Sequence, residues 1–185
     1  VAALDGERWD DRHRDRPLAH PSPPDVLVAA DLTDVMARTG RALDVACGLG
    51  AQSSWLAQRG LDVVSLDVSA VAIAATRQLA SAHQVADRVD ARCVDLDAGL
   101  PDDLAELDII ICQRFRGIEL YPQLVSRLRT GGVLVLTVLS VVGSDSPGPF
   151  HAGERELIDA FSPLAVDVIH QVEADGHASI VARRT

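Results

Sequence analysis

No apolar run in this 185-residue chain is long enough to span a bilayer, although 48% of its residues are hydrophobic. No signal-peptide pattern follows Val1, and the three cysteines, Cys47, Cys93 and Cys112, show no CxxC spacing. A disulfide framework and a structural zinc site are therefore not expected, and a reducing, cytoplasmic compartment is. Positive charge is scarce: 17 basic against 27 acidic residues leave a net charge of −10. Such a surface repels phosphate backbones and anionic bilayers, which argues against nucleic-acid and membrane partners. No catalytic triad and no metal-ligating cluster stands out. The acids Asp95, Asp97, Asp102 and Asp103 fall within one turn region and read as solvated rather than as a metal site. Internal repeats and linkers are absent too, so residues 1–185 are expected to form one domain.

What is present centres on Arg41 to Trp55. Ala42–Ala46 is a short apolar run that reads as a buried strand; Gly48 and Gly50 then turn the chain into a helix carrying Trp55 and Leu56. Such a turn lets a ligand approach the backbone closely. A second strand, Leu61–Leu66, ends at Asp67, where a carboxylate can take the hydroxyls of a ribose. A dinucleotide fingerprint would need a third glycine, but Ser53 stands there. Asp44, just before the turn, would repel a pyrophosphate and stabilise an ammonium or sulfonium. These residues favour a cationic nucleoside and disfavour an NAD(P)-dependent oxidoreductase.

Asp44-Val-Ala-Cys-Gly48-Leu-Gly50 followed by Asp67 resembles motif I and the next acidic motif of class I S-adenosylmethionine-dependent methyltransferases. Ala46 stands where that motif has its first glycine. The likeness covers most of the chain, and small tellurite-resistance and thiol methyltransferase-like proteins are the most similar group. It implies an α/β, Rossmann-like, doubly wound, seven-stranded and mostly parallel sheet in the order 3-2-1-4-5-7-6, with a C-terminal antiparallel hairpin. It also implies S-adenosylmethionine as cofactor and S-adenosylhomocysteine as product. The contacts it implies come from Trp9, Arg12, Asp44, Ala46, Cys47, Gly48, Gly50, Asp67, Val68, Asp95, Leu96 and Gln113, with Asp95 at the adenine amino group. Trp9, Arg12 and His13 match a W-x-x-R-[YFH] segment that folds over the cofactor in many such enzymes; a flexible tail over residues 1–20 is the alternative. Cys47 reads as a small packing residue rather than a nucleophile.

Along the rest of the chain, Ser22-Pro-Pro-Asp25 predicts a helix start, with Val28, Leu32, Val35 and Met36 at helical spacing and Gly40 as its stop. Helices are expected over Gln52–Gln58, Ser69–Ser81, Glu119–Arg129 and Glu154–Phe161. The second of these should bury Val71, Ala75, Leu79 and Ala82. Strands are expected at Val89–Val94, Leu107–Cys112 and Val133–Leu139, and Ala174-Asp-Gly176 signals a hairpin between Ala165–Val172 and Ala178–Arg183. The Gly/Ser/Pro-rich stretch 140–152 reads as a substrate loop or lid.

The C-terminal ends of parallel strands line the ligand crevice. Arg114, Phe115 and Arg116 after the fourth strand, with Phe150 and His151 of the loop, are therefore the predicted acceptor pocket. Arg116 and His151 are the candidate catalytic residues, the first to orient a polar acceptor and the second as a base. The short loop leaves no large substrate domain, which favours a small-molecule acceptor. A non-catalytic cofactor-binding protein on the same fold is the alternative reading; oligomeric state is not legible.

Overall fold

The computed structural model describes residues 2–185. Its frame is one seven-stranded sheet in the order β3-β2-β1-β4-β5-β7-β6. The strands are β1 (Gly40–Val45), β2 (Leu61–Asp67), β3 (Val89–Cys93), β4 (Leu107–Gln113), β5 (Leu128–Leu139), β6 (Val166–Ala174) and β7 (His177–Arg184). β1–β5 run parallel, and β7 pairs antiparallel with both β5 and β6. The hairpin closes on Asp175 and Gly176, both at positive φ (51° and 75°), as a two-residue turn between twisted strands requires. The expected architecture and strand order are those observed.

Period-two alternation sorts the strand residues onto two cores. Leu43, Val45, Ile110, Cys112, Leu134 and Leu136 face one layer, with Tyr121 and Phe161 from α5 (Tyr121–Arg127) and α6 (Glu156–Phe161). Ala42, Val63, Ile109, Ile111, Val133 and Val135 face the other, with Leu56 from α3 (Ala51–Gln58) and Leu27 from α2 (Asp25–Ala29). Each fully buried Leu or Ile contributes roughly 1.5–3 kcal/mol. Asp44 and Ser65 fall on the α3 face by the same parity, and they are register partners across β1 and β2.

Three expectations need correction. The helix expected from Ser22 to Gly40 is instead α2 and a 3-10 turn at Thr33–Val35. Asp31 takes φ 53°, and the Leu32 N–H bonds back to the Leu27 carbonyl (2.8 Å), a Schellman-type stop. Pro24, not Ser22, is the N-cap, and Gly40 opens β1. The buried face of α4 (Ala70–Ala82) is Ala72, Ile73, Thr76, Leu79 and Ala80, turned by one position from the expected one. Leu128 and Arg129, expected as the end of a helix, and residues 130–132, expected as a turn, already belong to β5.

The N-terminal segment is not a featureless tail. α1 (Ala2–His13) docks on α4, where Asp10 accepts hydrogen bonds from the Ser69 hydroxyl (2.6 Å) and the Val71 N–H (3.1 Å). Residue 1 of the expected lid lies outside the described residues.

Candidate cofactor site

β1 delivers Asp44 to the C-terminal edge of the sheet, and the chain then turns through Ala46, Gly48 and Gly50 into α3. Ala46 takes φ 54°, a conformation that costs a side-chain-bearing residue about 1–2 kcal/mol. The two glycines serve different ends. A Cβ on Gly50 would meet Thr76 of α4 at 2.7–2.9 Å, so Gly50 lets two helices approach. A Cβ on Gly48 would meet only the Cε1 of His13, at 3.9 Å, so the turn is open on the cavity side.

That cavity holds about 320 Å³ and is lined by Ser22, Asp25, Asp44, Ala46, Cys47, Gly48, Gln52, Gln113 and Arg114. Asp44 is 1% exposed; its Oδ2 accepts the Ser53 hydroxyl at 2.6 Å, and the Ser65 hydroxyl donates to Ser53 at 2.8 Å. Burial is the main force pushing the Asp44 carboxyl up to about 7, with Asp67 adding repulsion and Ser53 opposing. Asp67 bridges the edge: Oδ2 accepts the Gly48 N–H and Oδ1 the Ser69 N–H, both at 2.9 Å. Neither carboxylate has a salt-bridge partner among the described residues.

α1 covers the turn. His13 is buried, stacks on Trp9 at 5.8 Å, and its Nδ1 finds no hydrogen-bond partner. Burial lowers the His13 pKa, with Asp67 pulling the other way. Arg12 lies over Trp9 at 5.2 Å, and Arg8 over Phe150 at the same distance, so α1 also touches the 140–152 loop.

The remaining expected residues are scattered around this centre. Cys47 is buried with its Sγ 3.7 Å from the Thr76 hydroxyl, and burial holds its thiol protonated. The Val68 carbonyl accepts the Cys93 thiol at 3.3 Å. Asp95 caps the turn after β3 by accepting the Asp97 N–H at 3.0 Å, and the Leu96 side chain is in the core, leaving only its backbone to a ligand. Gln113 ends β4 and donates to the Cys112 carbonyl at 3.0 Å.

The two candidate catalytic side chains are not brought together at the cavity. Arg116 is gripped bidentate by Glu156, both contacts 2.7 Å, so its guanidinium is committed to joining β4's exit to α6. His151 accepts the Gly148 N–H on Nδ1 at 3.0 Å, inside its own loop. Phe115 packs against the core instead of facing the cavity. Arg114, held at φ 60° by its N–H to Thr137, is the member of that stretch that lines it. Sequence reasoning missed Gln52 and the Ser53–Ser65 pair as site components; the only signal was that Ser53 fell where a third glycine was absent. Among the described residues no group of His, Cys, Asp or Glu is arranged to hold a metal.

Comparison with known proteins agrees with this geometry. A family model described as a methyltransferase domain matches residues 42–132. Geranyl diphosphate C-methyltransferase from Streptomyces coelicolor A3(2), solved with Mg2+, geranyl diphosphate and S-adenosylhomocysteine, superposes with TM-score 0.75 at 14% identity, covering 100% of this chain and 98% of that one. TehB from Haemophilus influenzae gives TM-score 0.70 at 19% identity, covering 96% and 67%. Ribosomal RNA small subunit methyltransferase C from Chromohalobacter salexigens is 48% identical over 46 residues, 25% of this chain but only 14% of that protein. The matched segment of that curated relative is thus a small part of its length, while the family model lies on β1 through the start of β5. A methyltransferase domain thus spans residues 42–132, on the fold and with the motif of the class I S-adenosylmethionine-dependent methyltransferases.

Proposed function

We propose that the protein binds S-adenosylmethionine at the edge formed by β1 and β2 and transfers its methyl group to a small-molecule acceptor. One observation carries the reading: at the ends of β1 and β2, Asp44 and Asp67 are buried and met by neutral hydrogen-bond donors with no salt-bridge partner among the described residues, and Asp44 lines an open cavity. A ligand bearing an ammonium and a sulfonium supplies the missing positive charge; a dinucleotide pyrophosphate would add to the repulsion. The open cavity face of Gly48 fits the same ligand.

When bound, S-adenosylmethionine supplies an electrophilic methyl on sulfur, taken by an attacking lone pair in line with the C–S bond, whose electrons remain on sulfur. The chain's own task is then alignment and exclusion of water. Asp44 and Asp67 provide the negative field, with Asp67 tying the Gly48 turn to the end of β2. Asp95 sits at the end of β3, where the adenine end would lie. α1, through Trp9 and His13, covers the turn. Gln113 and Arg114 stand at the cavity's β4 wall, the side from which an acceptor enters. A small acceptor suits a 320 Å³ cavity with a short loop between β5 and α6.

The reading is tested by calorimetry with S-adenosylhomocysteine and with NADH, followed by turnover of methyl-labelled cofactor on a panel of small acceptors. Binding of the first ligand and methylated product are expected. Binding of NADH alone would overturn the cofactor assignment. Cofactor binding without transfer to any acceptor class would turn the reading to a non-catalytic binding protein.

A further inference from the structure

Ser53 and Ser65 are both fully buried, one on α3 and one on β2. Two hydroxyls would be an expensive choice for this position if packing were their only task. Their hydrogen bonds run one way: Ser65 Oγ donates to Ser53 Oγ at 2.8 Å, and Ser53 Oγ donates to Asp44 Oδ2 at 2.6 Å. Each hydroxyl has one proton, so a Ser53 that accepts from Ser65 is left with its own proton for the carboxylate. The contact is short, as charge-assisted bonds are.

We propose that Ser53 and Ser65 are positioning residues acting through Asp44: a directional hydroxyl relay that favours its ionised carboxylate against burial and so makes it available to a cationic ligand group. The inference rests on the cofactor reading given above. Only one carboxylate oxygen is tied by the relay, which leaves Oδ1 for the ligand. Without the relay, Asp44 would hold its proton to higher pH, and a neutral carboxyl does not attract a cation. Ligand binding to that form requires the proton to leave to solvent, so affinity and pH become coupled. The groups facing Asp44 are Asp67 from β2, Cys47 from the turn, Cys112 from β4, and, across the cavity, Asp25 from α2 and Arg114 after β4; His13 from α1 lies beyond them, against Gly48 and Asp67. The two thiols are held protonated by burial, and Asp67 opposes ionisation of Asp44. Ser53 is the leading group that favours it.

The test has two readouts. In the ligand-free protein, the Asp44 carboxyl is titrated by carbon NMR in wild type, Ser53→Ala, Ser65→Ala and Ser53→Thr. The midpoint should rise in Ser53→Ala, rise less in Ser65→Ala, and stay near wild type in Ser53→Thr, which keeps the hydroxyl. Calorimetry with S-adenosylhomocysteine in two buffers of different ionisation heat then counts protons released on binding. Ser53→Ala should release more near neutrality and lose roughly tenfold in affinity for each unit its midpoint rises, while approaching wild type in alkali. Contributions from His13 cancel in the difference between variants. If Ser53→Ala does not fold, Ser65→Ala gives readings in the same direction with smaller amplitude. Coincident midpoints, or affinity curves that fall in parallel across pH, would overturn the relay. Shifted midpoints in a protein that binds no S-adenosylhomocysteine would instead overturn the function proposed above, and with it the purpose assigned to the relay.

Discussion

The two ends of the sheet treat the same residue type in opposite ways. At the N-terminal edge, Asp62 pairs with Arg88 at 3.0 Å, and Asp108 accepts the Arg41 backbone N–H and binds the Arg129 guanidinium. The cleft there, of about 190 Å³, mixes Arg41, Asp62, Asp87 and Arg88, so its charges answer one another. At the C-terminal edge, Asp44 and Asp67 are buried and satisfied by a serine and by backbone N–H groups. Ionic pairing makes a surface; neutral satisfaction of a buried acid leaves its charge for something else. The second arrangement costs stability in the free protein, because an uncompensated buried carboxylate is penalised.

The largest effect expected on this contrast comes from Gly50→Ala. The substitution changes no charge but forces a Cβ into Thr76 at a backbone φ of 79°. Strain and overpacking together should cost roughly 3–5 kcal/mol, read as a fall in Tm. A variant as stable as wild type would show that the C-terminal edge is not held by this helix contact.

Next is Asp44→Asn in the ligand-free protein. The folded-state carboxyl titrates at about 7, above its ordinary 3.8. The wild type therefore loses stability as pH rises from the lower value through the upper, and the asparagine variant does not. Above neutrality the variant should be more stable by roughly 2–4 kcal/mol. Denaturant midpoints measured across pH check this, and a gap that does not widen between those two values would contradict it.

The smallest effect concerns His13. Its folded pKa lies below the ordinary value because it is buried, so protonation favours release of α1. Docking of α1 should weaken as pH falls through the ordinary histidine range, with amide protection factors in α1 dropping a few-fold relative to those in α4. In His13→Phe, which keeps a ring against Trp9, that pH dependence should vanish. Equal protection of α1 at neutral and acid pH in the wild type would remove the lid from the account.

How much of this was legible in the sequence depends on the range of the interaction that decides it. Ser69 as the cap of α4 is local, and its hydroxyl does accept the Ala72 N–H. Strands follow from apolar runs, and the hairpin from Asp175-Gly176. The break after α2 was hidden because the apolar spacing through Val35 and Met36 continues past the residue that ends the helix. Arg116 looked free because its partner, Glu156, lies 40 residues on in a different layer. The Ser53–Ser65 contact depends on the β1–β2 register and on where α3 packs, neither of which is written in either serine's neighbours. Periodicity tells which face a residue takes, not what it meets there.

The claim that the C-terminal edge awaits a cation is tested most directly by calorimetric binding of S-adenosylhomocysteine to wild type, Asp44→Asn and Asp62→Asn above neutral pH. Its ammonium supplies the charge in question. Asp44→Asn should lose roughly 1.5–3 kcal/mol of binding, the scale of a hydrogen bond to a charged group, while Asp62→Asn binds as the wild type does. Equal affinity in all three proteins would contradict the account.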